Sequence, residues 1–155
     1  MDWKRLLGFA SVLLAWAPTA LAQDEIATVK AREQQEYALS CQETRFMPEA
    51  FWSGDINKDG LTDVIVQSSA IACDNELGSE CDALGCPIRL YVQTDDGLFS
   101  YVGQVRGFGY SLRYNYGIRV LAFKIGGNRC AKVNSNRCLM IARVEGRKLV
   151  RLSTE

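Results

Sequence analysis

Hydrophobic residues in this 155-residue chain fall into short runs separated by clusters of Asp, Asn and Gly. Val64–Gln67 follows directly on an Asp- and Gly-rich stretch. Ile88–Gln93 and Phe99–Val105 flank Thr94-Asp95-Asp96-Gly97, and Asp-Gly between apolar runs is a strong hairpin signal. Arg113–Tyr116 alternates Arg, Tyr, Asn and Tyr as a half-exposed strand does. Ile118–Ile125 is more apolar and ends at Gly126-Gly127-Asn128, and Cys138–Val144 and Lys148–Leu152 pair across Glu145-Gly146-Arg147. Upstream, Ile26–Leu39 is rich in Ala, Glu, Gln and Lys, lacks Gly and Pro, and predicts a short helix. Strands this short and frequent predict a mainly β fold (a β-rich α+β chain): an antiparallel sheet, sandwich or small barrel with one short N-terminal helix.

The N-terminus follows a different grammar. Lys4 and Arg5 precede the almost wholly apolar Leu6–Pro18, and Thr19-Ala20-Leu21-Ala22 places small residues where a signal peptidase reads them. The apolar run is too short for a membrane anchor, which needs roughly 20 residues. No cysteine follows it, which argues against a lipid-anchored signal. Residues 1–22 are therefore expected to be a secretory signal. Residues 23–155, starting at Gln23, are expected to be a single periplasmic or secreted domain with no membrane span.

Export decides how the cysteines are read. Cys41, Cys73, Cys81, Cys86, Cys130 and Cys138 are even in number and all follow the expected cleavage point, so a disulfide framework is predicted. Cys130 and Cys138 bracket a polar Asn/Lys/Ser loop and are the first pair to name. The other four leave three pairings open. Zinc fits poorly: Cys81 and Cys86 have ligand spacing, but the chain has no histidine and no paired C-x-x-C knuckles.

Net charge is zero, yet its distribution is uneven: Gln104–Glu155 carries eleven Lys and Arg against only Glu145 and Glu155, while Gln23–Gly103 is strongly acidic. Either the two halves pack and offset each other's fields, or a basic face attracts an anionic cell-wall or envelope polymer. The first is preferred, because the cations are spread along strand-like segments without a dense cluster.

One motif carries clear chemistry. In Asp55-Ile56-Asn57-Lys58-Asp59-Gly60-Leu61-Thr62-Asp63, oxygen-bearing side chains fall at alternate positions, Gly60 allows the turn, the Leu61 carbonyl adds a backbone oxygen and Asp63 closes the set. That is a hard-oxygen set suited to one structural Ca²⁺ and poorly matched to Mg²⁺. It is not an EF-hand, since Val66 stands where the bidentate glutamate belongs. The competing reading is an Asp/Asn/Gly turn that binds nothing. Gly54–Val66 resembles the D-x-[DN]-x-D-G-x-x-D loops of FG-GAP and VCBS-type modules, including the apolar Val64-Ile65-Val66 that follows. The resemblance implies Asp55, Asn57, Asp59, Leu61 and Asp63 as calcium ligands. It covers a single copy, whereas FG-GAP propellers have several blades. With Cys73, Cys81 and Gly85-Cys86-Pro87, the wider pattern is similar to small exported bacterial proteins of unassigned function.

The absence of histidine excludes Ser-His-Asp, Cys-His and histidine-zinc catalysis. There is no phosphate loop, and the glycine-rich Gly103–Gly109 lacks the strand–turn–helix setting of a dinucleotide site. Asp74, Glu76, Glu80 and Asp82 read as a solvated acidic loop in preference to a hydrolase's carboxylate pair. Tyr110, Arg113, Tyr114, Tyr116 and Arg119 form a candidate aromatic and cationic binding face, or else serve cross-strand packing. No catalytic residue emerges, and nucleic acid is not expected as a partner. The expected function is a calcium-stabilised, non-catalytic module that binds an envelope protein or polymer. The alternative is a periplasmic inhibitor or immunity protein against a cell-wall hydrolase, with Cys73–Cys86 as its rigid projecting loop.

Overall fold

The computed structural model describes residues 20–130 and 137–155. The expected signal segment lies outside the described residues apart from residues 20–22, as does 131–136 between Cys130 and Cys138. The helix α1 (Ala20–Tyr37) is followed by β1 (Thr44–Phe46), β2 (Phe51–Gly54), β3 (Asp63–Gln67), β4 (Ile71–Cys73) and β5 (Glu76–Leu77). Then come β6 (Cys86–Gln93), β7 (Phe99–Gly107), β8 (Tyr110–Asn115), β9 (Ile118–Gly126), β10 (Arg137–Glu145) and β11 (Lys148–Thr154). They make two four-stranded sheets, β2-β3-β6-β7 and β8-β9-β10-β11, and a small β1-β4-β5 sheet. The pairings are antiparallel, and among the described residues no sheet closes into a barrel. The β-rich expectation with one helix and disulfides holds.

Side-chain alternation along β3 and β6 explains the layering. Ile65, Ile88, Leu90 and Val92 face the second sheet and share a core with Leu121, Phe123, Ile125 and Val144. Val64, Val66 and Tyr91 project from the opposite face and pack with Val29 and Tyr37 of α1, together with Ile71. Both faces of the central strands are therefore buried, so β3 reads as an unbroken apolar run and not as an alternating one.

α1 starts six residues before the predicted Ile26 and stops two short of Leu39, which is exposed in the turn that follows. Its inward stripe is Val29, Glu33 and Tyr37, continued by Cys41, each four residues from the last. The strands match the predicted runs and extend them by a few residues, except at Tyr116. That residue leaves the strand and takes φ +49° in the β8–β9 turn. β1, β2, β4 and β5 were not predicted, being two to four residues long with little periodicity to read.

The chain crosses from one large sheet to the other at Gly107-Phe108-Gly109. There the Phe108 N–H donates to the Lys124 carbonyl at 2.7 Å, and the Lys124 N–H donates to the Gly109 carbonyl at 2.9 Å. This corner is the use of the glycine-rich segment. A Cβ at Gly107 would stand 2.7 Å from the Lys124 carbonyl oxygen, and one at Gly85 would stand 2.3 Å from that of Gly107. Only hydrogen fits at either position.

All six cysteines are paired: Cys41–Cys73, Cys81–Cys86 and Cys130–Cys138. The pairing predicted first is present, and the structure resolves the other four. Cys41–Cys73 ties the end of α1 to β4. Asp74 reinforces that join by accepting the Gln42 and Glu43 N–H groups, both at 2.8 Å.

Loop-closure entropy ranks the bridges. Cys41–Cys73 spans 32 residues and Cys81–Cys86 five. Replacing Cys41 and Cys73 together by serine is expected to cost about 3–4 kcal/mol in urea unfolding, against about 2 kcal/mol for Cys81 with Cys86. Equal losses would show that chain entropy does not set the order.

Candidate functional site

The Asp55–Asp63 loop connects β2 to β3 and is held by its own side chains. Ile56 turns inward and is buried in the main core, which fixes the loop's base. Asp55 Oδ1 accepts the Asn57 and Lys58 N–H groups at 3.2 and 2.5 Å, and its Oδ2 accepts that of Gly60 at 3.1 Å. Asn57 Oδ1 accepts the Asp59 N–H at 3.1 Å, and Asp59 Oδ1 accepts that of Leu61 at 2.8 Å. The Asn57 amide donates to Asp59 Oδ2 at 2.7 Å. Gly60 takes φ +87°, as the sharp turn requires.

Asp63 is buried at the head of β3. Its Oδ2 accepts the Ile56 N–H at 2.9 Å and its Oδ1 that of Gln93 at 3.0 Å, so one carboxylate joins the loop to the end of β6. Burial pushes its carboxyl up to about 6; the two backbone donors oppose that rise, and the charges of Asp59 and Asp55 add to it.

The loop's three carboxylates, amide and Leu61 carbonyl match calcium in kind. In this conformation the carboxylates address backbone N–H groups. Among the described residues, no three acidic or cysteine side chains are gathered closely enough to hold a metal ion.

The aromatic and cationic residues divide. Tyr114 and Arg119 are cross-strand partners on β8 and β9, and Arg119 donates to the Tyr114 hydroxyl at 2.5 and 3.2 Å. Lys58, from the Asp-rich loop, lies 5.1 Å from the Tyr114 ring and donates to the Gly117 carbonyl at 2.8 Å. Arg119 in turn donates to the Asp55 carbonyl. The loop and the β8–β9 hairpin thus form one clamped unit, with Tyr114 61 % and Tyr116 97 % exposed. Tyr110 turns into the core against Phe123, where burial pushes its hydroxyl up to about 12. Arg113 lies on the other face of β8, where its Nε bonds Ser111.

The structure also builds a site that the sequence reading missed. Arg89, on β6, lies 3.2 Å from Glu33 of α1 and 2.5 Å from Glu80 of the segment before β6. Tyr91 donates to Glu33 at 2.6 Å, and Tyr37 donates to Glu80. Arg106 holds that segment by donating to the Glu80 and Gly85 carbonyls at 2.8 and 3.2 Å and pairing with Asp82 at 3.1 Å. Glu33, Tyr37, Glu80, Arg89 and Tyr91 of this network line a cavity of about 480 Å³, together with Arg32, Glu36, Ser79 and Tyr101. Burial raises the Glu33 carboxyl, with the Tyr91 hydroxyl and the Arg89 charge opposing it. Burial also acts to raise Glu80, but hydrogen bonds from Arg89 and Tyr37 outweigh it and hold that carboxyl below its usual range. The signal available in the sequence was Glu33 itself, a charged residue in the middle of the stripe Val29–Tyr37.

The acidic segment departs in part from expectation. Cys73 pairs with Cys41 and Cys86 with Cys81, so residues 73–86 are not one disulfide-closed projecting loop. Of the acidic quartet, Asp74, Glu76 and Asp82 are exposed, as a solvated loop requires, while Glu80 is turned inward onto Arg89. Asp74 also caps two N–H groups, and Asp82 pairs with Arg106.

Arg89 sets the charge balance of this network. Arg89→Met leaves two inward-facing carboxylates without their shared cation and is expected to cost about 3 kcal/mol at neutral pH. Losing the cation raises both folded-state pKa values. The folded variant then holds protons that the unfolded chain has released, so its deficit is largest at neutral pH and shrinks as pH falls toward ~4. Urea unfolding at both pH values checks this, and a deficit independent of pH would refute it.

No protein-family model matches the chain, and no curated protein or solved structure matches it either.

Proposed function

We propose that this is an exported, disulfide-bonded, calcium-stabilised module that acts without catalysis by binding an envelope protein or polymer. The observation that carries the reading is the clamp between the Asp55–Asp63 loop and the β8–β9 hairpin. It fixes an almost fully exposed tyrosine, Tyr116, in the left-handed conformation in the β8–β9 turn, with Tyr114 and Ile118 also exposed. Tyrosine and arginine are the residues enriched at binding hot spots, and a positive φ at a non-glycine residue costs about 1 kcal/mol or more.

Export is supported by the signal grammar of residues 1–22 and by three disulfides, which persist in oxidising compartments. Among the described residues, no helix is long and apolar enough to cross a membrane. Calcium is supported by the donor set and by the resemblance to FG-GAP and VCBS-type loops. Asp55, Asn57, Asp59, Asp63 and the Leu61 carbonyl would hold it, and the ion would supply positive charge to offset three carboxylates. Because Lys58 and Asp55 belong to both loop and clamp, order in the loop is passed to the hairpin.

Calcium that binds the folded loop and scarcely the unfolded chain stabilises by mass action, by about 2.7 kcal/mol at 100 times its dissociation constant. The melting temperature is expected to rise with millimolar Ca²⁺, rise much less with Mg²⁺ and fall with a chelator. Asp59→Ala should abolish the response. Melts indifferent to all three additions would reduce the loop to a turn.

Binding is checked separately by capture from envelope extract on immobilised protein. Tyr116→Ala, whose side chain supports nothing in the core, should lower capture roughly tenfold with an unchanged melt. Capture equal to wild type would remove the hairpin tip from the binding surface.

A further inference from the structure

We infer that the cavity between α1 and β6, floored by Glu33, Arg89 and Glu80, is a binding site for a neutral saccharide of one or two rings. It shares no residue with the Asp-rich loop or the β8–β9 hairpin, so the inference stands apart from the function proposed for that end of the molecule.

Packing alone does not call for this arrangement. A helix that only had to cover the sheet would be served by apolar side chains, since replacing a buried ion pair with hydrophobic residues is often neutral or stabilising. Instead Glu33, at 1 % exposure, is set into the wall of a cavity open at its rim. The cavity's volume, about 480 Å³, falls within the range of small-molecule sites, roughly 300–1,000 Å³.

The lining selects among ligand classes by charge and by shape. Both signs of charge line the cavity: Glu33, Glu36 and Glu80 stand with Arg32 and Arg89. A cation would meet two arginines and a polyanion three glutamates. A neutral molecule with adjacent hydroxyls meets neither penalty, because each hydroxyl both donates and accepts. Arg89 and Glu80, 16 % and 34 % exposed, can engage such hydroxyls while keeping the bonds they already make, since each carboxylate oxygen has two lone pairs and a guanidinium has five N–H groups. The buried Glu33 only holds Arg89 in place.

The rings provide the other half of the recognition. Tyr91 and Tyr101 lie 5.5 Å apart between centroids, and Tyr101 is 42 % exposed at the rim. An apolar ligand would strip water from the exposed parts of Arg89 and Glu80 without replacing its hydrogen bonds, which is costly. A pyranose presents an apolar C–H face to a ring and its hydroxyls to the charges.

The test is an amide NMR titration of the disulfide-intact protein with neutral disaccharides (cellobiose, maltose and N,N′-diacetylchitobiose), with choline and citrate as charged controls. The expected result is a saturable shift of the Ser79, Glu80 and Tyr101 amides with at least one disaccharide and with neither control. Tyr101→Ala should weaken that binding roughly tenfold while the protein stays folded. The inference is overturned if no disaccharide gives saturable shifts at those residues, if choline or citrate gives them instead, or if Tyr101→Ala binds as tightly as wild type. None of these outcomes depends on calcium or on capture at the hairpin tip.

Discussion

β3 and β6 run through the middle of the molecule without a solvent face, because one layer covers Ile65, Leu90 and Val92 while another covers Val64, Val66 and Tyr91. Any polar side chain on those strands must find its partners inside the protein. Asp63 and Arg89 are the two charged residues that meet this condition, and each gathers a site around itself. Asp63 draws the Ile56 and Gln93 N–H groups to one carboxylate and so anchors the Asp-rich loop. Arg89 draws Glu33 from the helix and Glu80 from the segment before β6.

The helix depends on that second gathering. Val29 and Tyr37 are the large apolar side chains it buries, and Glu33 stands between them. Its hold on the sheet therefore combines modest apolar burial with an ion pair, a tyrosine hydrogen bond and the Cys41–Cys73 bridge. The polar interior is almost fully satisfied, with Thr44 Oγ1 the one buried side-chain atom among the described residues that lacks a partner. An unpaired buried charge costs several kcal/mol, so Glu33, Arg89 and Glu80 are tolerated only as a set.

The two ends of the fold differ in how they hold their exposed groups. At the hairpin, Lys58 and Arg119 reach across to backbone carbonyls, and Tyr114 is stacked beneath them. At the cavity, the Cys81–Cys86 bridge and Arg106 fix the segment that carries Glu80. In both cases a cation from one element bonds backbone oxygens of another, which orders a loop without extending a strand.

Local pattern was enough for the long elements. The hairpins at Thr94–Gly97 and Glu145–Arg147, the β9 run and the helix are legible because turn residues and side-chain periodicity act within one segment. That the Asp-rich stretch forms a tight loop between strands was legible for the same reason, since its side chains bond backbone groups two to five residues away. The pairing of Cys130 with Cys138 spans only eight residues and was also readable. The other two bridges, the division of Tyr110 and Arg113 from Tyr114 and Arg119, and the Glu33–Arg89–Glu80 network were decided by tertiary structure. Glu33 and Arg89 lie 56 residues apart, and although Glu33 stands in the stripe Val29–Tyr37, nothing local names the partner it meets. Its burial follows from which face of α1 meets β6, and that is set by the packing of Val29, Tyr37 and Cys41, not by any property of the glutamate itself.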